Sequence, residues 1–385
     1  MQRHVNMLRE FSVPLLAGVF AAIAWANLAP GGYRHFIHHP QAMPFGAFSL
    51  HFIVNDLFMV LFFGIAAAEI TQSCLPGGDL HPLRKAVNPI LATLGGVAGP
   101  VLVYLALNAF FGNPTLRRGW GIPTATDIAL AWLVARVVFG RLHPAVSYLL
   151  LVAIIDDGIG LAVIAVFYPD PNVPAAPQWL ALTFAGMAVA ALLRRFKLSN
   201  YRPYLLLGGG LSWAGLFMAH LHPALALVFI VPFLPHAPRE TMHVFEDDPK
   251  DASPLASFER EWKVVVDFGL FMFGLVNSGV EFSSADTATW LVLASLAVGK
   301  TTGIFVMGKI GERLGYPLPA RVGGRELLLI GLVAGVGLTV ALFVAGEAFT
   351  NPELQGAAKM GALLSITCAM AAFIGGRLMK VRRVS

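Results

Sequence analysis

Adjacent aspartates, Asp156 and Asp157, stand in the middle of an apolar run covering residues 144–168 of this 385-residue chain. The run is long enough to cross a bilayer, where a central carboxylate costs on the order of 3 kcal/mol or more. Side chains that costly face a water-filled cavity or a partner charge, so the pair is a candidate site for a cation, a proton or both. Neighbours on a helix differ by about 100° in direction, so the two carboxylates cannot point at the same place. Other ionisable residues set in apolar runs are few: Asp56, Glu69, Asp127, Asp267 and Lys300. Lys300 falls near the centre of the run 287–308, between Gly299 and Gly303. A buried lysine and a buried carboxylate stabilise each other, because either one alone is desolvated without compensation. Asp157 is therefore read as the main cation ligand. Asp156 is read as the partner of Lys300 and as either second ligand or proton carrier. A salt-bridged pin between helices, with no transport role, is the bland alternative.

The elements that position these residues follow from composition. Charged residues make up 13% of the chain and hydrophobic residues 57%, against roughly 25% charged in a soluble domain. Apolar windows long enough to span recur at 11–28, 53–73, 89–111, 121–140, 143–168, 176–195, 203–219, 221–235, 262–282, 287–308, 324–346 and 357–378. The expectation is an all-α polytopic membrane protein of about twelve transmembrane helices, forming a single transporter domain over residues 1–385. The longest polar stretch is 236–261, whose acids Glu246, Asp247, Asp248 and Asp251 read as a solvated loop.

With the N-terminus inside, nearly all of the 27 lysines and arginines fall on inside connections or at the two termini. Only Arg34, Arg117, Arg118 and Lys359 fall outside, and Lys300 lies within a span. This asymmetry places both termini in the cytoplasm and accounts for the net charge of +5 without a nucleic-acid partner. A cleaved signal peptide at the first span would invert the rest of the topology, so that span is read as retained. Cys74 and Cys368 are isolated and lack metal-ligand spacing, which gives them no redox role. No GxxxxGK[ST] loop is present, so ATP-driven pumping and nucleotide binding find no support.

Two spans are poorly built as continuous helices. The fourth carries Pro123, Thr124, Thr126 and Asp127, with a proline that cannot donate and threonines that offer side-chain alternatives. The eleventh carries Gly335, Gly337 and Thr339 at its centre. If spans 3–5 and 10–12 (about 89–168 and 287–378) are inverted-topology repeats, these two breaks occupy corresponding positions, the usual pointer to a transporter binding site. Four helix ends would then lie near the midplane, with Asp127 offsetting two positive N-termini and Lys300 two negative C-termini.

With these motifs together, the chain resembles the NhaA-type bacterial sodium/proton antiporters. The resemblance rests on Gly119-Trp120-Gly121-Ile122-Pro123-Thr124-Ala125-Thr126-Asp127, Ile154-Ile155-Asp156-Asp157, Gly299-Lys300 and Gly335-Val336-Gly337-Leu338-Thr339. Asn55-Asp56 and Asn277 with Gly279-Val280 match as well. The resemblance implies twelve helices with spans 4 and 11 unwound and crossed. They lie in a core formed by spans 3–5 and 10–12, beside a dimerisation panel. It also implies electrogenic exchange of Na+ or Li+ outward for H+ inward. Na+ would bind at Asp157 and Asp156, Thr126 and Asp127 would belong to the site, and Lys300 would pair with Asp156. Implied too are no cofactor, no enzymatic reaction, membrane lipids around a homodimer, and the bacterial inner membrane as location. Phe45 to Phe52 alternates suitably for the family's β-hairpin dimer contact, with an ordinary loop as the alternative.

Departures from the family pattern concern regulation. Its charged cluster at the end of the second span survives as Glu69 alone, followed by Ile70-Thr71-Gln72-Ser73. The ninth span is entered through Phe258-Glu259-Arg260-Glu261-Trp262, where solvated-loop charge is the expectation for Glu259 and Glu261. Glu69 and Asp56 are carried as regulatory candidates, and Glu347 as a vestibule or interfacial acid. A K+/H+ antiporter and an ion-coupled organic-solute symporter are the rival functions. A symporter would want a roomy pocket beside the crossing, and only ion-sized polar groups are present there.

Overall fold

Backbone immersed in hydrocarbon must satisfy its own hydrogen bonds, and each expected apolar run does so by winding into helix. The computed structural model describes residues 13–39, 48–76, 83–169, 174, 176–236 and 253–381; among these there is no strand. The first three spans are Val13–Leu28, Leu50–Cys74 and Leu83–Phe111. The fifth is Pro144–Phe167, the sixth Leu180–Arg195, and the seventh Tyr204–Gly209 continued by Gly210–Met218. The ninth is Pro254–Asn277, the tenth Thr287–Arg313, and the twelfth Pro352–Leu378, interrupted at Ser365. Among the described residues, five helices are long and apolar enough to cross a membrane outright, and up to seven if each broken pair counts as one span. The chain is a polytopic helical membrane protein.

The fourth and eleventh spans are those broken pairs. Pro114–Thr124 and Ile128–Phe139 meet at 58°, and Gly324–Ala334 and Thr339–Ala348 at 50°. Both breaks fall where Pro123 and the Gly335/Gly337 pair weaken the helix.

Three expectations need correction. Of the expected β-hairpin near 45–52, residues 45–47 lie outside the described residues, and Leu50–Phe52 is helical. Ser49 caps that helix by accepting from the Phe52 N–H, so the segment opens the second span instead of pairing as a strand. The eighth span is not an α-helix: Pro223–Phe229 and Val231–Phe233 wind as 3-10 turns, each with a proline in its first two positions. Even with the longer 3-10 rise of about 2 Å per residue, so short a segment falls well below a bilayer core of about 30 Å. The ninth helix starts at Pro254, eight residues before the expected span, because Ser253 caps it by accepting from Ala256 N–H. Glu259 and Glu261 thereby move from loop to helix.

At four glycines the third and tenth spans approach backbone to backbone. A β-carbon added to Gly95 would lie 2.1 Å from the Gly303 carbonyl oxygen, and one on Gly99 2.2 Å from that of Gly299. Two small-xxx-small faces thus interlock, the packing that brings helix backbones together in lipid, where no hydrophobic force acts between helices. The tenth span is locally widened over Ser295–Lys300 into π-helix. Such bulges recur at functional sites, and this one ends on the lysine.

Candidate cation site

The two broken spans cross, and Asp127 holds the crossing. Its Oδ1 accepts from Leu130 N–H at 3.0 Å and so caps the second half of the fourth span. Its Oδ2 accepts from Thr339 N–H at 3.3 Å, at the start of the second half of the eleventh. One carboxylate therefore serves two helix N-termini, where negative charge is favoured. The Asp127 N–H donates to the Val336 carbonyl at 2.8 Å, lacing the extended segments together.

The two C-terminal ends are served by different groups. Lys300 Nζ donates to the Thr124 carbonyl at 2.5 Å, closing the first half of the fourth span. It does not serve the other end as expected: Thr126 Oγ1 donates to the Ala334 carbonyl at 2.9 Å instead. The reason is geometric, since the lysine's remaining reach is spent on Asp156. Its Nζ lies 2.6 Å from Asp156 Oδ2, and both side chains are fully buried. The side chain and backbone of Thr126 lie beside the same carboxylate.

Asp157 points elsewhere. It is half-buried, and its Oδ1 is one of the few buried side-chain oxygens with no hydrogen-bond donor; Asp156 Oδ1 is another. Both therefore keep lone pairs available for a hard cation or a proton, and oxygen is the donor that alkali and other hard cations select. Charges also do not balance within the diad. Lys300 compensates one carboxylate and leaves the other for a mobile positive charge.

Of the remaining expected residues, Pro123, Thr124, Gly335, Gly337 and Thr339 all lie at the breaks. Gly337 is held by Ser365, whose hydroxyl accepts from the Gly337 N–H at 3.2 Å and donates to the Ala362 carbonyl at 2.6 Å. Sequence reasoning missed Ser365, and a lone serine in an apolar run gives little signal. Asn55 and Asn277 exchange amide hydrogen bonds at 3.2 and 2.9 Å, pinning the second span to the ninth.

Asp56 and Glu69 lie apart from the diad, at opposite ends of the second span. Asp56 sits in a π-helical turn, Ile53–Phe58, on the wall of a cavity of about 850 Å³ shared with His51, His220, His222, Glu347 and Gln355. His222 Nδ1 lies 3.7 Å from Glu347 Oε2 on the wall of this cavity. Residues lining this cavity come from the ends of spans 2, 7, 8 and 11 that alternate topology places on one side. At the other end, Glu69 meets Lys263 at 3.2 Å, and Lys263 meets Glu259 at 3.4 Å. Glu259 is buried, so its reading as a solvated charge is wrong. Glu four residues before Lys was the available helix signal.

Two crossed, interrupted helices meeting at a buried carboxylate–lysine pair define a membrane protein of the ion-coupled secondary transporter class. A family model described as Na+/H+ antiporter 1 matches residues 3–378. The chain belongs to that family. It is 72% identical over 385 residues to the Na(+)/H(+) antiporter NhaA 1 of Pelobacter propionicus, with both chains covered in full. It is 69% identical over 384 residues to the Na(+)/H(+) antiporter NhaA of Geobacter metallireducens, again at full coverage of both. Among solved structures, the sodium proton antiporter MjNhaP1 of Methanocaldococcus jannaschii superposes with a TM-score of 0.55 at 16% identity. That match covers 96% of this chain and 92% of the other, a likeness of fold.

Proposed function

We propose that this protein is a secondary antiporter that extrudes Na+ or Li+ in exchange for H+ by alternating access in the bacterial inner membrane. Both termini face the cytoplasm, and the protein works as a homodimer without cofactor. The observation that carries the reading is the uncompensated carboxylate of Asp157 beside the Asp156–Lys300 pair. A proton or a sodium ion can neutralise it, but not both at once, and this competition is what couples the two fluxes. Asp157 is the primary ligand, and the free Oδ1 of Asp156 the second.

A cation that bridges both carboxylates displaces the ammonium from Asp156. Lys300 is then a buried ammonium without its carboxylate, which favours release of its proton. Two protons, from Asp157 and Lys300, thus leave for one cation, so exchange is electrogenic. Asp127 and Thr126 position the crossing without giving up their backbone partners. The cavity bearing Asp56 and Glu347 serves as the outer vestibule, its carboxylates raising the local cation concentration.

The test is transport in everted vesicles holding an acidic interior, followed with an internal pH dye. Adding Na+ or Li+ should alkalinise the interior. A response to K+ alone would reassign the cation, and no response to any of the three at neutral or alkaline pH would overturn the reading.

A further inference from the structure

Lys359 is a buried cation to which the described residues give no partner. It sits in the twelfth span, toward the end that the charge asymmetry assigns to the outside, and is 8% exposed. Among the described residues its ammonium makes no hydrogen bond and no ion pair. Glu347 is within electrostatic reach of it, but that carboxylate is set against His222. A dry ammonium without a counter-charge is among the costliest groups a membrane helix can carry.

His51 supplies a second donor, and its neighbours show where its proton lies. Asn277 Nδ2 donates to the Phe273 carbonyl at 3.2 Å, which fixes that amide's orientation. Asn277 and Asn55 exchange amide bonds, so the orientation of Asn55 is fixed in turn. Asn55 Nδ2 then faces His51 Nε2 at 3.0 Å. An amide nitrogen only donates, so Nε2 accepts and the ring carries its proton on Nδ1. That N–H has no acceptor among the described residues. His38 lies beside His51, with ring centroids 5.3 Å apart, and both rings are within electrostatic reach of Lys359.

This corner therefore offers donors without acceptors, the reverse of the diad. It adjoins the outer cavity, whose wall includes His51, Glu347 and Gln355. Gln355 is one turn before Lys359, on the same face of the helix. Charge sets the kind of occupant. One ammonium balances one negative charge, whereas a dianion would leave an excess beside Asp56 and Glu347.

We infer that Lys359 and the Nδ1–H of His51 hold a monovalent anion of chloride's kind at the outer mouth, the counter-ion that the buried ammonium lacks. With Lys359 neutralised, Asp56 and Glu347 keep their full attraction for a cation in the vestibule. Only this consequence rests on the antiporter reading; the binding of the anion does not.

Two measurements on purified, detergent-solubilised protein test the site without transport. In the first, the NMR line width of chloride is recorded with the wild type, K359R, K359Q and H51F. The wild type should broaden the line, and added bromide should reverse the broadening by displacement. K359R keeps the charge and should retain the effect, H51F should weaken it, and K359Q should lose most of it. Equal broadening by K359Q and the wild type, or none by the wild type, overturns the inference.

The second is thermal unfolding in sodium chloride against sodium gluconate at equal concentration. An anion that binds only the folded state raises the midpoint, so the wild type should be more stable in chloride and K359M indifferent to the anion. In gluconate K359M should match or exceed the wild type, because it removes a buried charge that has no partner there. A K359M midpoint far below the wild type in gluconate would mean that the ammonium is already paired within the protein. A chloride effect of the same size in both proteins would place the anion elsewhere. Either result overturns the inference.

Discussion

Removing the Lys300 ammonium from the bundle should cost more than any other single truncation at the crossing. The ammonium and the Asp156 carboxylate are 2.6 Å apart and fully buried. Breaking such a pair from one side costs about 3–5 kcal/mol, because the survivor stays charged and dry. K300M also orphans the Thr124 carbonyl, which now accepts at 2.5 Å; an unsatisfied buried acceptor adds about 1–3 kcal/mol. Replacing both partners with apolar groups of similar size, D156L with K300M, removes the charge altogether and should be nearly neutral in the pair term. A double-mutant cycle should therefore show a coupling of about 3 kcal/mol. The assay is unfolding of detergent-solubilised protein by added SDS, followed by tryptophan fluorescence. Acid should narrow the K300M deficit, since protonating the orphaned carboxylate removes the buried charge. Additivity of the two single changes to within about 0.5 kcal/mol, at neutral pH, would refute the reasoning.

Three further outcomes are expected. D157N should abolish cation-dependent exchange while leaving the unfolding midpoint near that of the wild type, and full activity in vesicles would move the site away from Asp157. D127A removes caps from two half-helices and should cost about 1 kcal/mol at each. D127N keeps an acceptor oxygen, so it should recover about half of that loss, and equal losses for both in the SDS titration would count against capping. G303A sets a β-carbon 1.9 Å from the Gly95 carbonyl, an overlap that must push the helices apart; overpacking of this kind costs about 1–3 kcal/mol. It should lower both stability and exchange, and a wild-type unfolding midpoint would show that the helices are not in backbone contact there.

Much of this was legible in the sequence, and the parts that were not share a cause. Asp156, Asp157 and Lys300 announce themselves because charge in an apolar run is costly enough to need a reason, and Pro123 and Gly335 because they disrupt helices locally. These signals are carried by single residues. What the sequence hides depends on which elements face each other. Glu259 reads as a loop charge until Ser253 starts the helix early and turns the side chain toward Glu69. Thr126 and Lys300 divide the two helix C-termini according to which carbonyl each side chain faces once the spans have crossed. Ser365 has no periodic pattern at all, and its role appears only when Gly337 is opposite. The eighth span was misjudged because hydropathy measures apolarity and says nothing of rise per residue.

The backbone contact between Gly95, Gly99, Gly299 and Gly303 has a consequence for motion. Helices that touch through carbonyl oxygens cannot slide without lifting over one another, and at these glycines backbone meets backbone directly. The third and tenth spans are in effect one beam. The lysine rides on one rail of that beam and is tied to Asp156 of the fifth span at 2.6 Å, while Thr93 on the other rail lies against the Val152 carbonyl, one turn before Asp156, at 3.3 Å. Whatever rearrangement turns the site from one side of the membrane to the other must therefore carry ammonium and carboxylates together. The ion changes its exit while its binding partners keep their places relative to one another.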